Sequence, residues 1–293
     1  MQNAKIRIWR MVGESYGFLL THPGTLLRVG WLPLLLLFGL NLLFGGFDPW
    51  PRGQGLAALL PSLGLMTANV LAQSLVAAAV LVAWHRVVLL GEAAVPGLLG
   101  LHIGLREAKY LGSWLLLSLL FILVMVLSCL LIVALGFGMM LGAETALITA
   151  GSAGSIPLGE KAQFIVLQVL SLVGALLIAT YATTRLSLIL PALATDRRRS
   201  LGGAWELSAG SGWRLVTASL LVMLPMQAGY LGAVQAANSF GESPLYWPLA
   251  LLASGFTLLL IVVTGTVLSL FSKALEREGA EDAKPVKDVA LAG

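Results

Sequence analysis

The sequence predicts an all-α fold: a polytopic membrane bundle of six transmembrane helices, arranged as three hairpin repeats that are each led by a cytoplasmic interfacial helix. Three observations predict it. Charged residues make up 11% of the 293 and hydrophobic residues 58%, whereas a soluble domain carries roughly 25% charge. Six apolar stretches reach the length of about 20 residues that a helix needs to cross a hydrocarbon core some 30 Å thick. Of the 18 Lys and Arg, all but Arg52 and Lys161 fall on one set of alternating connections. So few charges cannot clothe a surface in water, which excludes a soluble enzyme, a nucleic-acid binder and a disordered chain.

The chain opens with an amphipathic lead. Arg7, Arg10 and Glu14 recur on one helical face, Ile8, Val12, Tyr16 and Leu19 on another, and Trp9 suits headgroup depth. This reads as a helix lying in the membrane surface, with a short helix packed under the bundle as the alternative. The run WLPLLLLFGLNLLFGG then ends without a small-x-small cleavage site, so it is expected to be a retained span, not a signal peptide.

The spans are expected at 26–46, 62–90, 114–141, 162–191, 214–238 and 246–272. All are much longer than a barrel strand of about ten residues and lack its alternation. The excess of positive charge makes the N-terminal lead, the second and fourth connections and the C-terminal tail cytoplasmic, and both termini with them. Residues 1–275 read as a single membrane domain, and 276–293, charged and without period, as a disordered cytoplasmic tail.

A repeat underlies the layout. Without gaps, residue i aligned with i+99 places Arg86 on Arg185, Gly104 on Gly203, Glu107 on Glu206 and Trp114 on Trp213. Glu14, ahead of the first span, suggests a weaker third copy. The repeat units are then about 1–90, 91–191 and 192–275, related in parallel because an even number of spans separates them.

The candidate interfacial or lipid-binding residues are Arg86, Glu107, Trp114, Arg185, Arg197, Arg198, Arg199, Glu206, Trp213 and Arg214. Arg86 and Arg185 sit within apolar helices, where an ionisable group costs several kcal/mol unless it is paired or snorkels. Either each pairs with Glu107 or Glu206, or each extends along its helix to reach phosphates. The run Asp196-Arg197-Arg198-Arg199, the densest charge cluster, either sets topology or binds an anionic headgroup. Among the polar residues inside spans, Asn69, Gln73 and Gln227 are candidates for a polar cavity, with helix-to-helix glue as the alternative. His85 is expected as an interfacial ring and Cys129, the one cysteine, as a small packing residue. Neither a metal site, a cofactor site nor a catalytic constellation is evident in the spacing of the three histidines, and no P-loop or GxSxG motif occurs. A non-enzymatic protein without a cofactor is therefore expected.

The stretch RLSLILPALATDRRRSLGGAWELSAGSGWR, residues 185–214, resembles a signature of six-helix bacterial membrane proteins of the YciC-like kind and of the membrane domain fused to some glycerophosphodiester phosphodiesterases. The matching positions are Arg185, Pro191, Leu201, Ala204, Trp205, Leu207, Ser208, Gly210, Trp213 and Arg214; the Arg-rich connector and Glu206 depart from the pattern. The resemblance implies a bacterial inner-membrane protein tied to envelope lipids, and no catalytic residue. The expected function is binding or moving lipid or another amphiphile, with anionic membrane lipids as partners and no nucleic acid. A scaffold or accessory subunit of a membrane complex, and a small-solute transporter or channel, are the alternatives; a protein partner or a homo-oligomer is left open.

Overall fold

The computed structural model describes residues 7–44, 59–95, 104–149, 158–197, 199–241 and 243–282. Among these the regular structure is helical, and six helices are long and apolar enough to span a membrane. The protein is an integral, multi-pass membrane protein of all-α class. In chain order the helices are α1 (Ile8–Thr21), α2 (Pro23–Leu43), α3 (Leu59–Leu90), α4 (Leu105–Thr149), α5 (Leu158–Leu186), α6 (Ile189–Ala194), α7 (Leu201–Leu207), α8 (Gly212–Phe240) and α9 (Tyr246–Asp282), with a 3-10 turn at Glu92–Ala94. The expected spans fall on α2, α3, α4, α5 with α6, α8 and α9.

The chain divides into two compact units. One contains residues 1–114 and 187–293, the other 115–186. The first is organised around α9, which packs against α1, α2, α3, α6 and α8. Small residues let the backbones approach, since lipid gives helices no hydrophobic reason to associate and close packing must supply it. A Cβ on Gly229 of α8 would meet the Phe256 ring at 2.3 Å, one on Gly265 would meet Leu81 at 2.7 Å, and one on Gly30 would meet Leu258 at 3.0 Å. The second unit holds most of α4 and all of α5. It presents Leu119, Ile122, Leu127, Leu130, Leu170 and Ile178 outward, as suits side chains solvated by acyl tails.

Several local expectations change. The third span does not begin at 114. α4 runs unbroken from Leu105 for 45 residues, so the segment expected as a separate lead helix is part of the span itself. Ninety-nine residues further on, where the same arrangement is expected, α7 stops and α8 starts anew. The reason is local: Lys109 and Leu111 favour a helix, whereas their counterparts Ser208 and Gly210 do not, and Gly210 at φ +76° ends it. The fourth span is also interrupted. Pro191 has no N–H for the Ser187 carbonyl, which accepts from Leu190 N–H at 2.9 Å instead, and the chain turns between α5 and α6. α9 continues to Asp282, so 276–282, expected in the tail, is helical; 283–293 lie outside the described residues.

α1 is amphipathic as expected and Arg10 pairs with Glu14 at 2.7 Å, but its buried face is Met11, Ser15 and Leu19. The helix is tied to the bundle through Tyr16, whose hydroxyl donates to Val222 O at 2.7 Å.

Candidate functional site

The end of the first unit that carries the arginines is built from short helices, and short helices leave many backbone groups unpaired. α6 ends in a Schellman turn: Arg197 N–H reaches Ala192 O at 2.9 Å and Asp196 N–H reaches Leu193 O at 3.2 Å. That turn places Asp196 at φ +60°, a left-handed position usually given to glycine. Asp tolerates it better than most residues, and here its carboxylate is also held. Arg106 of α4 lies 2.8 Å from it and Arg86 of α3 3.5 Å. The hydrogen bond from Arg106, helped by the charges of both arginines, holds the Asp196 carboxyl below the usual carboxylate range.

Arg86 also donates to two orphan carbonyls, Ala194 O at the end of α6 (3.3 Å) and Ala94 O at the end of the 3-10 turn (3.4 Å). The sequence left Arg86 between a glutamate partner and a phosphate reach. Its carboxylate partner is Asp196, while Glu107 accepts from Gly104 N–H at 3.0 Å and caps the start of α4. A second clamp lies beside the first. Glu276 of α9 receives Arg197 at 2.7 Å and Arg199 at 2.5 Å, and Arg199 also donates to Ser272 and to Leu188 O. The connector 195–200 is thus fastened on one side to α3 and α4 and on the other to α9.

Between the clamps opens a cleft of about 900 Å³. Arg106, Lys109, Arg197 and Arg199 line it against Glu107 and Asp196, with Ser200 and Leu193. Asp196 and Glu276 each take two guanidiniums, and Lys109, exposed, has no carboxylate partner among the described residues. The walls therefore carry surplus positive charge.

Of the residues singled out from the sequence, the structure brings Glu107, Arg197 and Arg199 to this cleft and sets Arg86 behind it. Arg185 belongs to the other unit, where it is buried and donates to Tyr181 OH at 3.2 Å. Glu206 is exposed on α7, and Trp114 is half-buried in α4. Trp213 and Arg214 start α8; Arg214 faces α1, not the cleft. Arg198 lies outside the described residues. Sequence reading missed Arg106, Lys109 and Glu276 as site residues, and took Asp196 only as part of the charge run. The available signal was charge next to the repeat motif: Arg106 adjoins Glu107 and Asp196 precedes the arginine run.

The polar-cavity candidates separate. Gln73 Nε2 donates to Asn41 Oδ1 and to Asn69 Oδ1, both at 2.9 Å, and Asn41 Nδ2 reaches Ser254 Oγ at 3.4 Å. The amides on α2 and α3 thus bond one another and the Ser254 hydroxyl of α9, whereas Gln227 is exposed on α8 and takes no part. His85 is not an interfacial ring. It is fully buried, with Nδ1 2.6 Å from Ser269 Oγ and Nε2 3.0 Å from Tyr110 OH, beside Trp84 Nε1, which donates to Thr266 Oγ1. Cys129 is exposed on α4, not packed.

No family model matches the chain, and the searches of curated proteins and of solved structures also return no match.

Proposed function

We propose that the protein is a non-catalytic inner-membrane protein of bacteria that binds anionic phospholipid headgroups at its cytoplasmic face and serves envelope lipid homeostasis. The observation that carries this reading is the cleft: a cavity of about 900 Å³ at the ends of apolar helices, with more cations than anions on its walls. A phosphodiester is the anion that a membrane presents at that depth, and each Lys or Arg near an anionic leaflet adds about 1 kcal/mol of attraction. The distribution of Lys and Arg along the chain favours a cytoplasmic position for this end and for both termini. The resemblance of residues 185–214 to YciC-like proteins points toward the same setting.

The alternative of a solute path through Asn69, Gln73 and Gln227 loses its support. Gln73 spends its amide donors on Asn69 and Asn41, and Gln227 stands apart.

Native mass spectrometry of the detergent-solubilised protein tests the proposal. Phosphatidylglycerol should be retained in preference to phosphatidylcholine. Lys109→Gln, at an exposed and unpaired position, should weaken that retention about fivefold, the equivalent of one interfacial charge. Equal retention of the two lipids, or indifference to Lys109→Gln in a protein of unchanged thermal stability, overturns it.

A further inference from the structure

A second groove lies on another flank of the first unit, between the start of α1 and the start of α8. It measures about 640 Å³ and is lined by Arg7, Ile8, Trp9, Arg10, Arg214, Thr217 and Leu221. Its chemistry differs from that of the cleft. The floor is apolar, from Ile8, Leu221 and the methyl face of Thr217, whose hydroxyl is spent on Trp213 O at 2.8 Å. The rim is cationic. Of its three guanidiniums only Arg10 is neutralised, by Glu14 at 2.7 Å. Arg7 and Arg214 have neither a hydrogen-bond nor a carboxylate partner among the described residues. Trp9 stands beside them with 75% of its surface exposed.

We infer that this groove is a binding site for one anionic phospholipid, taken by its phosphate and by one acyl chain together. The phosphate lies between Arg7 and Arg214, where two guanidinium forks can each donate a charge-assisted pair of hydrogen bonds. The chain runs down the apolar floor along Ile8 and Leu221, and the Trp9 indole lies at the glycerol level, the depth that tryptophan prefers. Charge complementarity selects this occupant. A neutral lipid leaves both guanidiniums unpaired, and a free phosphate leaves the apolar floor uncovered. An anionic peptide would find too few free backbone groups for its own amides: Thr217 lies inside α8, and only the Ile8 N–H, at the start of α1, and the Leu221 carbonyl, four residues before Pro225, lack helical partners.

The groove also has a fixed geometry. The Tyr16 hydroxyl bonds the Val222 carbonyl, so α1 cannot swing away from α8 without losing that bond.

The site stands independently of the cleft, and the experiment separates the two. The full-length protein is placed in nanodiscs and titrated with phosphatidylglycerol carrying bromine on one acyl chain. Bromine quenches indole fluorescence at short range, and the component lost in Trp9→Phe reports this groove alone. Wild type should show saturable Trp9 quenching by the brominated anionic lipid. Arg7→Gln and Arg214→Gln should each weaken its apparent affinity about fivefold and together about 25-fold, as expected for two interfacial charges. Lys109→Gln, in the cleft, should leave it unchanged. Glycerol phosphate at millimolar concentration should not displace the lipid. Equal Trp9 quenching by brominated phosphatidylcholine, or insensitivity of the affinity to both arginine substitutions, overturns the inference. Displacement by glycerol phosphate also overturns it, by showing a phosphate site that ignores the chain.

Discussion

Substitutions at Asp196 separate two effects that the native residue combines. Its backbone sits at φ +60°, and its carboxylate holds Arg106 at 2.8 Å and Arg86 at 3.5 Å. A left-handed conformation costs an ordinary residue about 1 kcal/mol, glycine almost nothing, and Asp or Asn an intermediate amount. The Asp196 side chain is 59% exposed, with Arg106 at 35% and Arg86 at 21%. Solvent screening then limits each pair to the lower part of the roughly 0.2–1 kcal/mol measured for exposed pairs, so the two together contribute about 1 kcal/mol. Asp196→Gly loses the pairs and relieves the strain, and should leave stability within about 0.5 kcal/mol of wild type. Asp196→Asn keeps the tolerance and loses the charge, for a loss of about 1 kcal/mol. Asp196→Ala loses the charge and meets the full conformational cost in place of the intermediate one, for a loss of about 1.5 kcal/mol. At roughly 2–4 °C per kcal/mol for a chain of this size, thermal melts in detergent at one scan rate resolve the order Gly, Asn, Ala. Coincident melting of the Gly and Ala variants refutes the strain argument. An Asn variant that melts with wild type refutes the electrostatic one. The pH dependence has a definite sign. The native carboxyl titrates below its unfolded counterpart, so its contribution is present at neutral pH and is lost as pH falls through the native value. The gap between wild type and Asp196→Asn should therefore hold down to about pH 5 and close below about pH 4.

Gly229→Ala drives a methyl group into the Phe256 ring at 2.3 Å and should destabilise by about 1–3 kcal/mol, with partial rescue by Phe256→Leu; a wild-type melt refutes the close packing of α8 on α9. His85→Leu orphans the Ser269 and Tyr110 hydroxyls in the core and should cost roughly 1–3 kcal/mol for each group, whereas Tyr110→Phe removes one partner only and should cost less; equal melts count against the network. Gln73→Leu leaves Asn41 Oδ1 and Asn69 Oδ1 without their donor and should lower stability by about 0.6–1.7 kcal/mol, while flux of small polar solutes into proteoliposomes stays at background; a changed flux restores the solute-path reading.

Hydropathy made the spans legible, because the need for about 20 apolar residues is written directly into composition. Turns within that apolar background were harder to read. Pro191 breaks the fourth span through one missing donor, and Lys109-Tyr110-Leu111 against Ser208-Ala209-Gly210 decides whether a lead helix is separate from its span or fused to it. At the site, the repeat drew notice to the glutamates that it matches, and these serve different ends: Glu107 caps a helix and Glu206 faces outward. The partner of Arg86 proved to be Asp196, which lies 110 positions away at a position that the i to i+99 alignment pairs with Gly97 and so does not match. Long-range pairing of this kind depends on how helix ends meet, and no local pattern encodes it. The burial of His85 was hidden for the same reason: its partners come from α4 and α9, far along the chain.

The position of α9 has a consequence for biogenesis. The helix that joins α1, α2, α3, α6 and α8 follows the other five of these spans in the chain and so is synthesised after them. Until it leaves the translocon, the faces of α2 and α8 that pack on it at Gly30 and Gly229 are unmatched, and the Arg197 and Arg199 guanidiniums are without Glu276. Completion of the first unit is therefore a late event, and a nascent chain halted before the sixth insertion is an obvious target for membrane proteases.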